Sequence, residues 1–404
     1  MRIAVIGGGA SGLMAAIAAK CGNNKVTIYE RSKRVGRKLL ATGNGRCNMT
    51  NTGAAEGNYY GTDPGFVKNV IDRFWVKETL DFFTEIGVLW KEEKDGKVYP
   101  YCDSASAVLD VLRHRTECAG VLCECGFDVK SVKKSGNTFL VEAYDGRRGE
   151  FDRVIIAAGG KAAPALGSNG SGYELLKSFG HSITGLSPSL VQIKTETDTV
   201  KKLKGIKLNA RLSIGGRSET GELLFTEYGL SGPPAFSLSA ILGDNKEAVI
   251  DAMPEYDYID VVGMLRTRKE YLHDITLEEY FTGMLNKRIG QAILKDAGFA
   301  PLSSPVSALS ERDLKKIASV IKGWRFKITG TMSWNNAQVT KGGALTSEFD
   351  GTDMQSKLIR GLYACGEVLD IDGDCGGYNL QWAWSSGYIA GYSAGSQNDF
   401  SERI

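Results

Sequence analysis

The chain has 404 residues, a net charge of +2 with both signs mixed, and 50 glycines, about 12 per cent against roughly 7 per cent on average. Only 9 prolines and no Gly-X-Y period exclude collagen and low-complexity sequence, and the charge balance argues against a nucleic-acid partner. No apolar run reaches the roughly 18 residues of a membrane span, so no membrane span is expected.

In chain order, Arg2–Ile6 reads as a buried parallel strand, residues 12–20 as a helix, and Val26–Tyr29 as a second strand ending at Glu30. A basic, glycine-rich loop runs from Arg31 to Asn51. Helical spacing follows over 66–86 (Val67, Val70, Ile71, Phe74) and over Ser104–Ala119, with Ser104 a candidate N-cap. Short strands are predicted at Val121–Glu124, Phe127–Val132, Thr138–Ala143 and Val154–Ala158. The stretch from Leu190 to about Met253 reads as mainly β, with Lys201-Lys202-Leu203-Lys204 as a solvated strand edge. Residues 257–322 read as helices, and Arg325–Thr331 returns to strand.

Glycine content separates these regions. Residues 251–322 hold 4 glycines, whereas 323–395 hold 13. The division predicted is an α/β domain built from both chain ends, 1–188 and 330–404. An insertion at 189–329 lies between them, β-rich over 189–255 and helical over 256–323.

Gly7-Gly8-Gly9-Ala10-Ser11-Gly12 satisfies G-x-G-x-x-G directly after a strand, and Glu30 follows 18 residues after Gly12. Gly7 allows the turn, Gly9 admits a pyrophosphate, Gly12 lets helix pack on strand, and Glu30 suits ribose hydroxyls. The acid favours FAD or NAD over NADP at this site. Two later strands also end in small-residue turns, Ala158-Gly159-Gly160 and Gly366-Glu367. A second helix start at Gly376-Gly377-Tyr378-Asn379 suits the far end of a flavin, which selects FAD. A second G-x-G-x-x-G is absent, so NADH or NADPH would dock only transiently as electron donor.

Eight cysteines are scattered without a C-x-x-C pair, and His114, His181 and His273 stand far apart. No metal site is expected, and free thiols fit a cytoplasmic protein. Cys47 has no redox partner at close spacing. Cys123 and Cys125 read as packing or surface residues, and Trp382 and Trp384 as core or cavity wall.

The run Lys38–Asn48 (KLLATGNGRCN) resembles the signature loop of a bacterial family of FAD flavoproteins that includes bile-acid Δ4,6-reductase-like and aminoacetone-oxidase-like proteins. The blocks Gly167–Tyr173, Leu224–Pro233, Val339–Gly343 and Gly366–Leu380 carry the same resemblance across nearly the whole chain. The resemblance implies a glutathione-reductase-type, Rossmann-like FAD domain with an inserted β-barrel plus helical cap. It implies non-covalent FAD held by Gly7, Gly9, Ala10, Ser11, Gly12, Glu30, Arg31, Lys38 and the loop Thr42, Gly43, Asn44, Gly45, Arg46, Cys47, Asn48. It further implies contacts from Val129 on the adenine side, and from Ala158, Gly159, Gly366, Glu367, Gly377, Tyr378 and Asn379. Glu227 stands where the family carries histidine, so no role is assigned there. Tyr378, as a proton donor, and Arg46, as a binder of substrate carboxylate, are the candidates for chemistry.

The expected function is an FAD-dependent oxidoreductase acting on a small molecule. The first reading is NAD(P)H-dependent reduction of an activated C=C bond of steroid or bile-acid type, with hydride passing through flavin N5. The alternatives are an oxidase of a small amine or amino acid, and a sensory or RNA-modifying flavoprotein; near-neutral charge argues against the RNA version. Substrate identity, nicotinamide preference and oligomeric state leave no mark in the sequence.

Overall fold

The structure, a computed structural model, describes residues 1–63 and 65–396. It divides into two units, one formed by residues 1–189 with the segment from Ala337 onward, the other by Leu190–Asn336.

Ile3, Ala4 and Val5 are fully buried, as expected for a strand covered on both faces. This strand, β1 (Arg2–Ile6), is the centre of a five-stranded parallel sheet. The order is Leu362–Ala364, Arg153–Ile156, β1, β2 (Lys25–Glu30), Leu122–Cys125. Ile6 pairs with Ile156 and Tyr29, and Ile156 with Ala364, so the carboxyl ends lie level. The turns after them (Gly7, Arg31, Ala157 and Cys365) therefore leave one edge, where open α/β sheets bind their ligands. A three-stranded antiparallel sheet of Val129–Ser135, Thr138–Ala143 and Arg148–Phe151 completes the frame.

The helix α1 (Ala10–Ala18) packs against the last helix, Tyr378–Gly395. A Cβ added at Gly387, Gly391 or Gly395 would lie 2.5, 2.1 and 2.5 Å from the carbonyl oxygens of Ser11, Ala15 and Ala19. The two series ascend together, so the helices run parallel and touch backbone to backbone. Trp382 and Trp384 are buried in the same core.

In the second unit six strands close into a barrel: Ile193–Thr195, Gly229–Ser231, Arg217–Phe225, Lys207–Ile214, Glu247–Asp251 and Trp324–Thr331. Closure removes sheet edges, and Leu212, Leu223, Phe225, Ile250 and Trp324 fill its core. The helices Tyr258–Tyr271, Lys287–Asp296 and Glu311–Lys322 bury Leu265, Ile293 and Ile317 in the same cluster. Because Trp324–Thr331 completes the barrel, the insertion runs past 329 to Asn336. No helix among the described residues is long and apolar enough to cross a membrane.

Three local expectations need correction. The lysine run is a short 3₁₀ turn, Lys201–Leu203, after the helix Thr197–Val200; burying Leu203 completely outweighs a strand edge. The helical stretch 66–86 breaks into Gly65–Ile71 and Val76–Glu85, because Phe74 turns inward to stack on Tyr388 at 4.1 Å. The Glu78 carboxylate, accepting from the Trp75 N–H at 2.9 Å, restarts the helix. Ser104 stands at the N-cap of Ala105–Cys118, but its side chain makes no capping bond and pairs with Ser106 Oγ instead.

The helix contact predicts opposite signs for two glycine substitutions. Gly391→Ala drives a methyl into the Ala15 carbonyl and should destabilise by about 1–3 kcal/mol. Gly263→Ala, inside the helix Tyr258–Tyr271 with nothing within 4 Å, should stabilise by about 0.5–1 kcal/mol. Urea unfolding of the two variants beside the parent checks both signs.

Candidate active site

The site is built from turns at the carboxyl edge of the first unit. α1 starts at Gly9 without a side-chain cap, so its first N–H groups are left for a ligand, and a Cβ on Gly9 would meet nothing within 4 Å. By contrast a Cβ on Gly7 would meet the Ala157 carbonyl oxygen at 2.4 Å, and one on Gly12 the Gly7 oxygen at 1.9 Å. The first and third motif glycines are thus packed tight, and the middle one faces open space. Glu30 closes the cradle, its carboxylate accepting from the Gly8 and Ser32 N–H groups at 2.9 and 2.7 Å. Arg31 pairs with Asp128 at 3.6 Å, beside the buried Val129. A cavity of about 390 Å³ opens next to Val129, lined also by Lys130, Lys161 and Lys177.

Distant segments meet at three further points. Gly366 (φ 75°) approaches Ser11, to within 2.4 Å of its Oγ for an added Cβ. Lys38 pairs with Glu367 at 2.7 Å, and the other oxygen of that carboxylate accepts the Thr340 N–H at 2.8 Å. Gly377, which starts the last helix without a side-chain cap, approaches Thr50 and Asn48. Asn48 is buried and its Oδ1 has no hydrogen-bond partner. Asn379 braces this start, bonding the Gly373 N–H and carbonyl at 2.9 and 2.8 Å. The Tyr378 carbonyl accepts from the Tyr59 O–H at 3.0 Å, with the two rings edge to face.

Parallel packing sets the spacing of the two helix starts. Gly387 lies over Ser11, so the last helix begins some two turns ahead of α1, about 12 Å at 1.5 Å per residue. Two uncapped, positively polarised helix ends therefore face the same way, one some two turns ahead of the other. An extended dinucleotide fits this arrangement, as do the open face at Gly9 and the orphaned Asn48 acceptor.

The loop Thr42–Asn48 is strained, with positive φ at Gly43, Asn44, Gly45 and Cys47. Arg46 is the candidate whose placement differs most from expectation. Its guanidinium pairs with both Glu93 and Asp103 at 2.5 Å and stacks over Tyr99 at 4.0 Å, which fastens the loop to neighbouring strands. Hydrogen bonds from Arg46 hold the Glu93 carboxyl below its usual range. Burial pushes the Cys47 thiol up to about 12, so it stays protonated. In the second unit Glu227 is tied to Lys204 at 2.6 Å. Sequence reading missed the Glu93–Asp103 clamp, which no local signal marks. It also passed over the Gly387, Gly391, Gly395 spacing, which was visible as glycine every fourth residue.

A Rossmann-like cradle, a second helix start ahead of it and an inserted closed barrel define the class: the protein is an FAD-dependent oxidoreductase. The chain belongs to the family described as HI0933-like protein Rossmann domain, whose model matches residues 1–393. It is 38% identical over 406 residues to a 3-dehydro-bile acid delta(4,6)-reductase of Clostridium scindens, covering 97% of this chain and 98% of the relative. It is 30% identical over 389 residues to a ribosomal RNA dihydrouridine synthase of Escherichia coli, covering 95% of each. Among solved structures, 3-ketosteroid delta1-dehydrogenase from Sterolibacterium denitrificans shares the fold. Its TM-score is 0.51 at 12% identity, over 98% of this chain and 99% of that one.

A Ser–His–Glu series in the first unit imitates a hydrolase triad without its chemistry. His181 Nδ1 faces Glu348 at 3.0 Å and Nε2 faces Ser356 Oγ at 2.9 Å. Ser356 Oγ already accepts from the Leu358 and Ile359 N–H groups, so its proton goes to His181 and no lone pair is left for attack. Burial pushes the His181 pKa down, against the pull of Glu348. The unfolded chain therefore takes up this proton first as pH falls below about 6.5, and stability declines there by at most ~1.4 kcal/mol per pH unit. His181→Gln should flatten this limb below about pH 6.5, read by urea unfolding against pH.

Proposed function

We propose that the protein reduces a carbon–carbon double bond conjugated to a carbonyl group, in a small enone of steroid or bile-acid type, with NADH or NADPH as electron donor. The observation that carries this reading is the 38% identity, over nearly full length, to a bile-acid delta(4,6)-reductase. When bound, FAD supplies a hydride from N5 to an electron-poor carbon.

The proposed holding groups follow the geometry. Gly7, Gly9, Ala10, Ser11 and Gly12 take the pyrophosphate at the start of α1, where N–H groups and helix polarity favour anions. Glu30 and Arg31 take the ribose, and Val129 the adenine side. Lys38, Ala158, Gly159, Gly366 and Glu367 line the middle. Thr42–Asn48 and Gly377, Tyr378 and Asn379 take the ring end. Arg46 acts there by holding the loop against Glu93 and Asp103, which leaves its guanidinium committed before any substrate arrives.

A second reading has its own support in the dihydrouridine synthase relative at 30% identity. Saturating the 5,6-double bond of a uracil ring is the same class of reaction, because that bond is also conjugated to a carbonyl. The near-neutral charge favours the small enone, since RNA binding draws on an extended cationic face.

Anaerobic mixing with NADH and with NADPH should bleach the flavin band, and a 3-oxo-Δ4 steroid should restore it with a product heavier by two hydrogens. Restoration by a uridine-containing ribosomal RNA transcript and not by the steroid would move the assignment to the second reading. Bleaching by neither nicotinamide would remove the proposed donor.

A further inference from the structure

Four carboxylates lie between Gly366 and Asp374, and three have firm protein partners. Glu367 is held by Lys38 and the Thr340 N–H. Asp370 accepts from the Thr62 N–H at 3.1 Å and from the Thr62 hydroxyl. Asp374 accepts from Tyr60 at 2.8 Å and from Asn58 at 2.9 Å. Asp372 is the exception. It is only 2 % exposed, and among the described residues its Oδ1 has no hydrogen-bond partner and its Oδ2 has only the Ser189 hydroxyl at 3.5 Å.

Its position is also distinctive. Asp372–Gly373 pairs with Tyr59–Tyr60, and Gly373 is clamped by Asn379 in the first turn of the last helix. Ser189 and Lys341 belong to the antiparallel ribbon of Ser187–Ser189 with Val339–Lys341. The charged groups acting on Asp372 are Lys341 from the ribbon, and Asp370 and Glu367 from its own motif; the Tyr60 hydroxyl is committed to Asp374. An ionised carboxylate with an empty buried oxygen is costly, whereas a protonated one needs far less. Burial, with Asp370 and Glu367, outweighs Lys341 and raises this carboxyl to about 7.

We propose that Asp372 is the proton store of the site, holding a proton in a large share of the resting enzyme and giving it to the substrate when the double bond is reduced. This rests on the reductase reading above. Reduction adds a hydride at the β-carbon and a proton at the α-carbon. The proton leaves the Asp372 carboxyl, whose O–H bonding pair stays behind as carboxylate beside Lys341. Water restores the proton, and NADH or NADPH is the reductant consumed.

Asp372→Asn tests this by two routes on the FAD-loaded protein. The first is urea unfolding against pH. An Asp held protonated by the fold makes the parent lose stability as pH rises from about 4 to about 7, by up to tenfold per pH unit in the unfolding constant. The Asn variant should lack that slope, and Asp372→Glu should retain part of it. The second route is stopped-flow. Reduction by dithionite should be unchanged in the Asn variant, and reoxidation by a 3-oxo-Δ4 steroid slowed by about 10²–10⁴-fold. Equal pH slopes in parent and Asn variant, or reoxidation within a factor of two, overturns the proposal. If the parent itself takes no enone, the reductase reading fails, and the unfolding slopes still decide whether Asp372 carries the proton.

Discussion

Contact between the backbones of α1 and the last helix is the constraint on which the site in the first unit depends. Ordinary helix pairs stand about 8–10 Å apart because side chains separate them. Here glycine at 387, 391 and 395 faces Ser11, Ala15 and Ala19, and nothing larger than a hydrogen fits between. Shape alone then fixes register, direction and distance. The last helix must start ahead of α1, and both positive ends must face the same side of the sheet. Neither start has a side-chain cap, which leaves its first N–H groups without an intrahelical or capping partner.

The legible part of this design was the part whose chemistry is local. Gly7, Gly9 and Gly12 could be read from spacing because each serves a separate need within six residues, and Glu30 because β2 ends level with the turn. The Rossmann-like fold with an inserted barrel was likewise available from the blocks of resemblance. Arg46 shows the other side. Its residue type and its loop suggested cofactor or substrate, yet its partners Glu93 and Asp103 are 47 and 57 positions away, beyond any spacing rule. The individual strand pairings that close the barrel left no local mark for a similar reason. Strands of three residues such as Ile193–Thr195 and Gly229–Ser231 are too short to show an alternating pattern, and only pairing defines them. The lysine run misled because charge describes a face, while the one buried Leu203 decided the backbone.

Two left-handed residues and two buried, unpartnered oxygens of the first unit lie in the segments that lead to the helix starts. Asn44 and Cys47 hold left-handed backbone within four positions of one another, a cost on the order of 1 kcal/mol or more each. Asn48 leaves a buried oxygen empty, and Asp372, five residues before Gly377, leaves another. Such features persist only where surrounding structure overdetermines them. The Arg46 clamp does this for the loop, and the Asn379 bridge to Gly373 does it for the segment before the last helix.

These two braces have different consequences. The clamp on the loop is half-exposed and electrostatic, so its contribution is modest and falls with salt. The brace at Gly373 consists of uncharged hydrogen bonds between the Asn379 amide and the backbone of Gly373 and Asp374, insensitive to salt and to pH. The two segments proposed to take the flavin ring are therefore held one by an adjustable brace and one by a fixed brace. Asp372 stands on the fixed side, next to the brace, so the backbone that carries its carboxyl is pinned by strand pairing with Tyr60 and by Asn379 at Gly373.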